Sequence, residues 1–290
     1  MEENKFNSKL GTLVQKVFGA KMNYRLRYYH LRGHFPNLSN PRDISEILIS
    51  QMFNEPQCRA LSQYVDKVGL RDYVKSKGLD DILLKHYGVW DNPEDIHFDS
   101  LPEHFILKSN NGCGNHYICR DKTKFDPNKA IDTLHKAIKS GRESVERHYR
   151  YIEPRVFCEE LIETPDGGLP VDYKFTCVGG EIMDVFVATE RATGTKYSTL
   201  DLNWEPLPYI MDKWKPKAIP LKPKNLEALA EVARNLSKDF GFVRVDLYEY
   251  REKPYFSELT FFPWGALLYG YTNEAIKLYG EKWHQSQKNK

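Results

Sequence analysis

The stretch GFVRVDLYEYREKPYFSELTFFPWG, residues 241–265, decides the architecture of this chain. Two runs of alternating apolar and polar residues, FVRVDLYEY and PYFSELTFF, flank a polar break at Arg251–Lys253. Alternation over that length is the signature of a half-buried strand, so the stretch reads as an antiparallel hairpin. Side chains two apart share a face of a strand. Arg244, Asp246 and Tyr248 therefore lie together, and so do Glu258 and Thr260. With the turn centred on Glu252, Asp246 lies opposite Glu258. Directly opposed residues have Cβ atoms about 5 Å apart. Two carboxylates at that spacing repel unless a cation sits between them or one is protonated. An all-oxygen set of this kind suits Mg²⁺ completed by water and substrate phosphates. Arg244 adds a positive charge that can hold a phosphoryl group or an anionic intermediate. A solvated strand face with a cross-strand ion network explains the same spacing.

Working outward, residues 225–240 carry Leu226, Leu229, Ala233, Leu236 and Phe240 on one helical face, closed by Gly241. VDYKFTCV and EIMDVFVATE flank Gly179-Gly180, a strong two-residue hairpin signal. RVFCEELIE (155–163) reads as a strand that ends in a Pro/Asp/Gly turn. Upstream of it, Asp126 caps a helix with Pro127 at its first position, Ile131, Leu134 and Ile138 inward, and Gly141 past its end. FILKS (105–109), the loop NNGCGN and HYICR read as a further hairpin. A lysine at a strand end before a small-residue loop, here Lys108, can offer backbone N–H groups and one cation to phosphates. No GK[ST] follows the glycines, so this is not a P-loop, and a plain hairpin loop reads equally well. Residues 61–88 look helical, and residues 1–60 helical and basic. Hairpins interleaved with helices make the fold α+β rather than doubly wound.

Composition bounds the rest. The chain has 290 residues and a net charge of +2, which argues against a generic nucleic-acid binder. Residues 1–42 hold eight Lys/Arg against Glu2 and Glu3, so this segment is +6 and the remainder −4. It is either a solvated basic helical region or a surface for anionic lipid headgroups or an anionic polymer. No apolar run approaches the roughly 20 residues of a membrane helix, and no signal-peptide pattern opens the chain. Five scattered cysteines, an odd number, suit reduced thiols in a cytoplasmic protein. Cys113, His116 and Cys119 lack the fourth ligand and the tight spacing of a zinc site.

Taken in order, the lysine with its small-residue loop, the strand ending Glu-Glu-Leu, and the Arg-x-Asp…Glu-x-Thr hairpin resemble the ATP-grasp family, over roughly residues 62–265. The wording of DKVGLRDYV, ILKSNNGCG, RVDLYEY and ELTFFPWG is most similar to the TupA-like branch, named for teichuronopeptide biosynthesis. The resemblance implies an α+β ATP-grasp fold in which two α+β subdomains sandwich ATP. Its parts would be a helical basic N-terminal region at 1–60, a helical lead-in at 61–104, a lid subdomain at 105–165 and a catalytic subdomain at 166–290. It implies that Lys67 and Lys108 reach the nucleotide phosphates and that Glu159, Glu160 and Leu161 read adenine. Asp172 would hold the ribose, with Lys174 beside it on the strand face. Arg191 or Lys196 would meet the γ-phosphate. Arg244 becomes the catalytic cation, and Asp246, Glu258 and Thr260 the Mg²⁺ ligands. Thr260 stands where the family has asparagine, and Trp264 intervenes between Pro263 and Gly265.

The branch is associated with capsular and cell-surface polysaccharide synthesis in bacteria. The resemblance therefore implies an ATP- and Mg²⁺-dependent carboxylate–amine ligase that forms ADP through an acylphosphate. It would join an amine or amino acid to a carboxylate such as a uronic acid or another polysaccharide intermediate. It would work in the cytoplasm, with the basic N-terminus available to the inner membrane face. A phosphotransferase on the same fold, or a non-catalytic nucleotide- or glycan-binding partner of an assembly complex, would show the same motifs. No Asp-x-Asp motif speaks for a glycosyltransferase.

Overall fold

The structure, a computed structural model, describes residues 9–112, 114–190 and 194–288. Four helices lead: α1 (Lys9–Arg32), α2 (Ile44–Phe53), α3 (Glu55–Ser62) and α4 (Leu70–Ser76). Then come β1 (His86–Trp90), β2 (Phe105–Ser109), β3 (Tyr117–Cys119), α5 (Pro127–Arg142) and β4 (Val156–Glu159). The chain continues with β5 (Asp172–Val178), β6 (Glu181–Thr189), β7 (Lys196–Leu200), α6 (Leu226–Ser237), β8 (Phe242–Tyr250), β9 (Lys253–Thr260) and α7 (Asn273–Lys288). The strands form two antiparallel sheets, in the orders β1-β4-β2-β3 and β7-β6-β5-β8-β9. The fold is therefore α+β, as the hairpin signals predict. No described helix is long and apolar enough to cross a membrane.

Each sheet has its own core. Phe105, Leu107, Val156 and Cys158 project from one face of the first sheet and pack with Ala130 and Leu134 of α5. The helix starts where the sequence places it, because Asp126 accepts the Lys129 N–H and Pro127 needs no hydrogen-bond partner there. It buries Ala130, Leu134, Ala137 and Gly141, a spacing that returns to one helical face. Burying Leu134 fully contributes about 2 kcal/mol. The second sheet packs Phe175, Val185, Val243, Val245 and Leu259 into a larger cluster with α6, α2 and the last turns of α1. Asn225 caps α6 by accepting the Ala228 N–H.

Three sequence expectations change. The lead-in at 61–104 is not all helical, since it carries β1, which borders β4. HYGVW shows no alternation to betray it, and Gly88 is needed because Trp90 folds over it: a Cβ there would lie 2.4 Å from the indole. β4 stops at Glu159, although the Glu160 N–H still donates to the Lys85 carbonyl one step along the β1–β4 pairing. Gly141 lies inside α5 rather than beyond its end.

The basic N-terminal region is built into the body. Tyr24 and Tyr28 are buried, and the Tyr28 hydroxyl donates to Asp43, the N-cap of α2. Buried Arg32 donates to the carbonyls of Leu267, Leu268 and Tyr271 and to Asn273 Oδ1, at 2.9–3.2 Å. It thereby clamps a strained loop, in which Trp264, Gly265, Ala266 and Leu268 all have positive φ. Tyr29 and Phe35 stay about half exposed and stack on each other.

Candidate functional site

The β8–β9 hairpin turns at Arg251-Glu252, both at positive φ, with Tyr250 facing Lys253. A regular ladder from that two-residue turn would set Asp246 against Ser257. A bulge between Asp246 and Leu247 shifts the register by one, so Asp246 faces Glu258 and Arg244 faces Thr260. The opposition expected from the sequence is present, and a bulge with a tight turn produces it rather than a three-residue loop. A one-residue slip moves a strand's side chains to the other face, so the bulge is what brings Glu258 to this site.

The pairings extend the hairpin into rows across the second sheet. One row runs Phe186, Lys174, Asp246, Glu258; the next runs Asp184, Thr176, Arg244, Thr260. Asp172 stands opposite Tyr248 in a third. Within this grid Arg244 grips Asp246 in bidentate fashion, Nε to Oδ1 and Nη2 to Oδ2, both at 2.7 Å. Its Nη2 also reaches Thr260 Oγ1 at 3.1 Å. Lys174 pairs with both Asp172 and Asp246. Lys67 pairs with Glu258 at 3.1 Å and donates to the Gly112 carbonyl, tying the glycine loop to the sheet. Burial alone would raise the Glu258 pKa; Lys67, Lys174 and Arg244 outweigh it and hold the carboxyl at about 2. Burial raises Asp172. Burial disfavours charged Lys174, but Asp246 and Asp172 overcome this and raise its pKa.

The first sheet supplies the opposite wall. Ile106 faces Glu159 and Lys108 faces Phe157, so these four lie on the face away from α5. Lys108 pairs with Glu159, and His86 Nε2 lies 3.6 Å from the same carboxylate. These partners offset the burial of Glu159 and hold it at about 2. Lys67, Lys108, Ser109, Gly112 and Asn115 line one open cleft with Asp172, Tyr248 and Glu258, so both walls meet there.

The NNGCGN loop is held by its asparagines. Buried Asn110 accepts the Arg155 N–H, and its Nδ2 donates to Asp66 and the Glu153 carbonyl. Asn111 Nδ2 donates to the Ile138 carbonyl of α5. Here Gly141 has its reason: a Cβ on it would stand 1.6 Å from the Asn111 oxygen. Gly141→Ala is therefore expected to cost about 1–3 kcal/mol through overpacking and to displace the loop. Urea denaturation checks the first effect and ADP affinity the second; unchanged values for both would show that the loop yields freely.

Of the residues expected at the site, Lys67, Lys108, Asp172 and Glu258 line the cleft, with Lys174, Arg244, Asp246 and Thr260 in the grid beside them. Glu159 adjoins Lys108. Glu160 is exposed, and Leu161, half-buried, follows the end of β4. Lys196 is not brought in. Tyr197, not Lys196, pairs with Ala188 in the row of Asp172, and the Lys196 ammonium donates to the Lys213 carbonyl. Strand alternation turns it to the other face. Arg191 and Cys113 lie outside the described residues. Cys119 is buried in the core beneath the first sheet.

Sequence reading missed Glu146 and His148, which sit beside Lys67, Arg244 and Glu258. They come from a short 3₁₀ helix between α5 and β4, His148 within Arg147–Tyr151 and Glu146 at its N-cap, too short for any periodicity to mark them. Burial, then the charge of Glu258, push the Glu146 carboxyl up to about 8. Burial, then Lys67, push His148 down to about 3.

A metal ion at Asp246 and Glu258 fits the donors: two opposed carboxylates and a hydroxyl are hard oxygen ligands. Their negative charge is at present met by Arg244, Lys174 and Lys67, which an ion there would partly replace. Among the described residues no three His, Cys, Asp or Glu side chains gather into a cage. Two carboxylates completed by water and phosphates is the coordination Mg²⁺ takes.

The chain matches the TupA-like ATP-grasp family over residues 48–283. The comparison with curated proteins returned no match. Similar solved structures include the D-alanine–D-alanine ligase of Helicobacter pylori, 18% identical with a TM-score of 0.45 over 77% of this chain and 58% of that one. The Bacillus anthracis enzyme of the same name, complexed with ATP, is 14% identical with a TM-score of 0.45 over 79% of this chain and 69% of that one. An L-amino acid ligase from Bacillus licheniformis is 10% identical with a TM-score of 0.45 over 85% of this chain and 55% of that one. The chain thus spans less than two thirds of the Helicobacter and licheniformis chains.

Proposed function

Because the chain belongs to the TupA-like ATP-grasp family, we propose that it is an ADP-forming carboxylate–amine ligase. The observation that carries this reading is the grid of Lys174, Asp246, Glu258 and Arg244 across a cleft from Lys108. Lys67, from the loop before α4, and Lys108, from the first sheet, hold the nucleotide phosphates. Glu159, Glu160 and Leu161 border adenine, and Asp172 meets the ribose. Asp246 and Glu258, with Thr260, would hold Mg²⁺, which when bound neutralises and aligns the β- and γ-phosphates. A substrate carboxylate oxygen attacks the γ-phosphorus while the bond to ADP breaks. The neutral amine nitrogen then attacks the acyl carbon and sheds a proton to water or a nearby carboxylate, and inorganic phosphate leaves with the acyl oxygen. Arg244 bonds Asp246 through Nε and Nη2, which leaves Nη1 for the developing negative charge of both steps. No nucleophilic serine or cysteine is required.

The acceptor in this reading is a uronic acid or related intermediate of a bacterial surface polysaccharide, and the amine is an amino acid. The reaction runs in the cytoplasm, with the +6 N-terminal region toward an anionic acceptor or the membrane face. A coupled ADP-release screen of uronic acids against amino acids tests the activity. ADP release that needs both components supports the ligase. Release with a hydroxyl or carboxylate acceptor alone, indifferent to every amine, would show a phosphotransferase.

Lys67→Ala and Lys108→Ala are each expected to weaken ATP binding about tenfold or more, since a charge-assisted contact contributes about 1.5–3 kcal/mol. Unaltered affinity by calorimetry would make both surface lysines.

A further inference from the structure

We propose, resting on the ligase reading, that Glu146 and His148 form the seat of the attacking amine: they receive its ammonium group, and the Glu146 carboxylate takes the proton that the nitrogen must lose before it attacks. The charges of the grid point there. Asp172, Asp246 and Glu258 are matched by Lys67, Lys174 and Arg244. Glu146 is the acid left over. Among the described residues no lysine or arginine pairs with it; it accepts the Gly265 N–H, and His148 Nε2 lies 3.8 Å away. The His148 side chain is fully buried, yet among the described residues neither ring nitrogen has a hydrogen-bond partner. A buried polar group without a partner costs free energy, and such groups in folded proteins mark a missing ligand or a functional role. The Glu146 side chain keeps 14% of its surface open, so it is not sealed from solvent. An ammonium there supplies the absent positive charge and donors for both side chains.

The place also suits the reaction. Lys67 and Glu258 are the charges that act on His148, and Glu258 and Arg244 act on Glu146, so the seat adjoins the phosphoryl-transfer end of the grid. Packing fixes both side chains. The His148 ring lies against Phe262, directly after β9, with centroids 5.0 Å apart. The neighbouring Val145 carbonyl accepts from Tyr24 of α1, at 3.3 Å, and Tyr24 also closes on Gly265. A Cβ at Gly265 would meet that hydroxyl at 2.8 Å, so the wall tolerates no side chain at this point.

The test is differential scanning fluorimetry of the full chain with saturating ADP and Mg²⁺. The standard L-amino acids and D-alanine are added singly, then as their N-acetyl derivatives, which carry no ammonium. At least one free amino acid should raise Tm, and its N-acetyl form should not. Glu146→Gln should abolish that rise and keep the one caused by ADP and Mg²⁺. Glu146→Asp, which preserves the charge, should keep part of it. His148→Phe, which preserves the stacking on Phe262, should weaken binding about tenfold. The proposal is overturned if Glu146→Gln retains the amino-acid response, if N-acetylated forms act equally, or if no amino acid shifts the wild type. Failure of ADP and Mg²⁺ to shift the wild type would strike the ligase reading itself, and this proposal with it.

Discussion

Asp246→Asn is expected to abolish ATP turnover and to lower the free energy of unfolding by about 3–5 kcal/mol. The Asp246 side chain is wholly buried and bonds Arg244 through both oxygens and Lys174 through one. Removing its charge leaves two buried cations facing each other. Sequence alone suggests a loss of activity with stability nearly unchanged, as for an exposed metal ligand; the burial of Asp246 revises that. Glu258→Gln separates the two effects. Its side chain is 21% exposed and faces one lysine, so turnover should fall at least about a hundredfold with a smaller change in stability. ADP release and urea denaturation on both variants check this. Wild-type ADP release in both would remove the metal assignment.

Deletion of residues 1–34 is expected to leave an insoluble or largely unfolded chain. It removes buried Tyr24 and Tyr28, and a large buried ring cut to a cavity costs about 3–5 kcal/mol. It also strips Arg32 from three carbonyls of the strained 264–271 segment, which would then be buried without donors. The sum exceeds what a marginally stable domain holds in reserve. Arg32→Ala alone should lower Tm measurably. A soluble truncation with wild-type Tm would contradict this placement and leave α1 a detachable arm. The exposed Tyr29–Phe35 stack, with exposed Val17 and Phe18, is the surface that the described part of this region still offers for a docking role.

What the sequence made legible was local. Alternation, turn glycines and caps marked β5 and β6 around Gly179-Gly180, α5 after Asp126, and the β8–β9 hairpin, because each depends on neighbours in sequence. The facing of Asp246 and Glu258 was readable for the same reason, although the bulge that sets it was not. β1 was lost because HYGVW is short and packs a tryptophan over its own glycine. Gly141 was read as a terminator because the reason for it, the Asn111 carbonyl, comes from a loop some thirty positions upstream. Lys196 was placed by resemblance and moved by strand parity. Glu146 and His148 left no signal, since a five-residue 3₁₀ turn acquires its site only when tertiary packing lays it against Phe262 and Gly265. Ion pairs between distant segments, such as Lys67 of the loop before α4 with Glu258 of β9, were beyond reach for a similar reason: spacing along the chain says nothing of which segments meet.

The most direct test of the central claim, that the cleft between the sheets is a magnesium-dependent ATP site, is calorimetric titration of the full chain with ATP. The titration is run with Mg²⁺ and with a chelator, on wild type and on Glu258→Gln. The account predicts stoichiometric binding that weakens at least about tenfold without Mg²⁺ or with the Glu258 carboxylate removed, because that carboxylate would hold the ion that would neutralise the phosphates. ATP binding of equal strength in all arms, or no binding to the wild type with Mg²⁺ present, would contradict it.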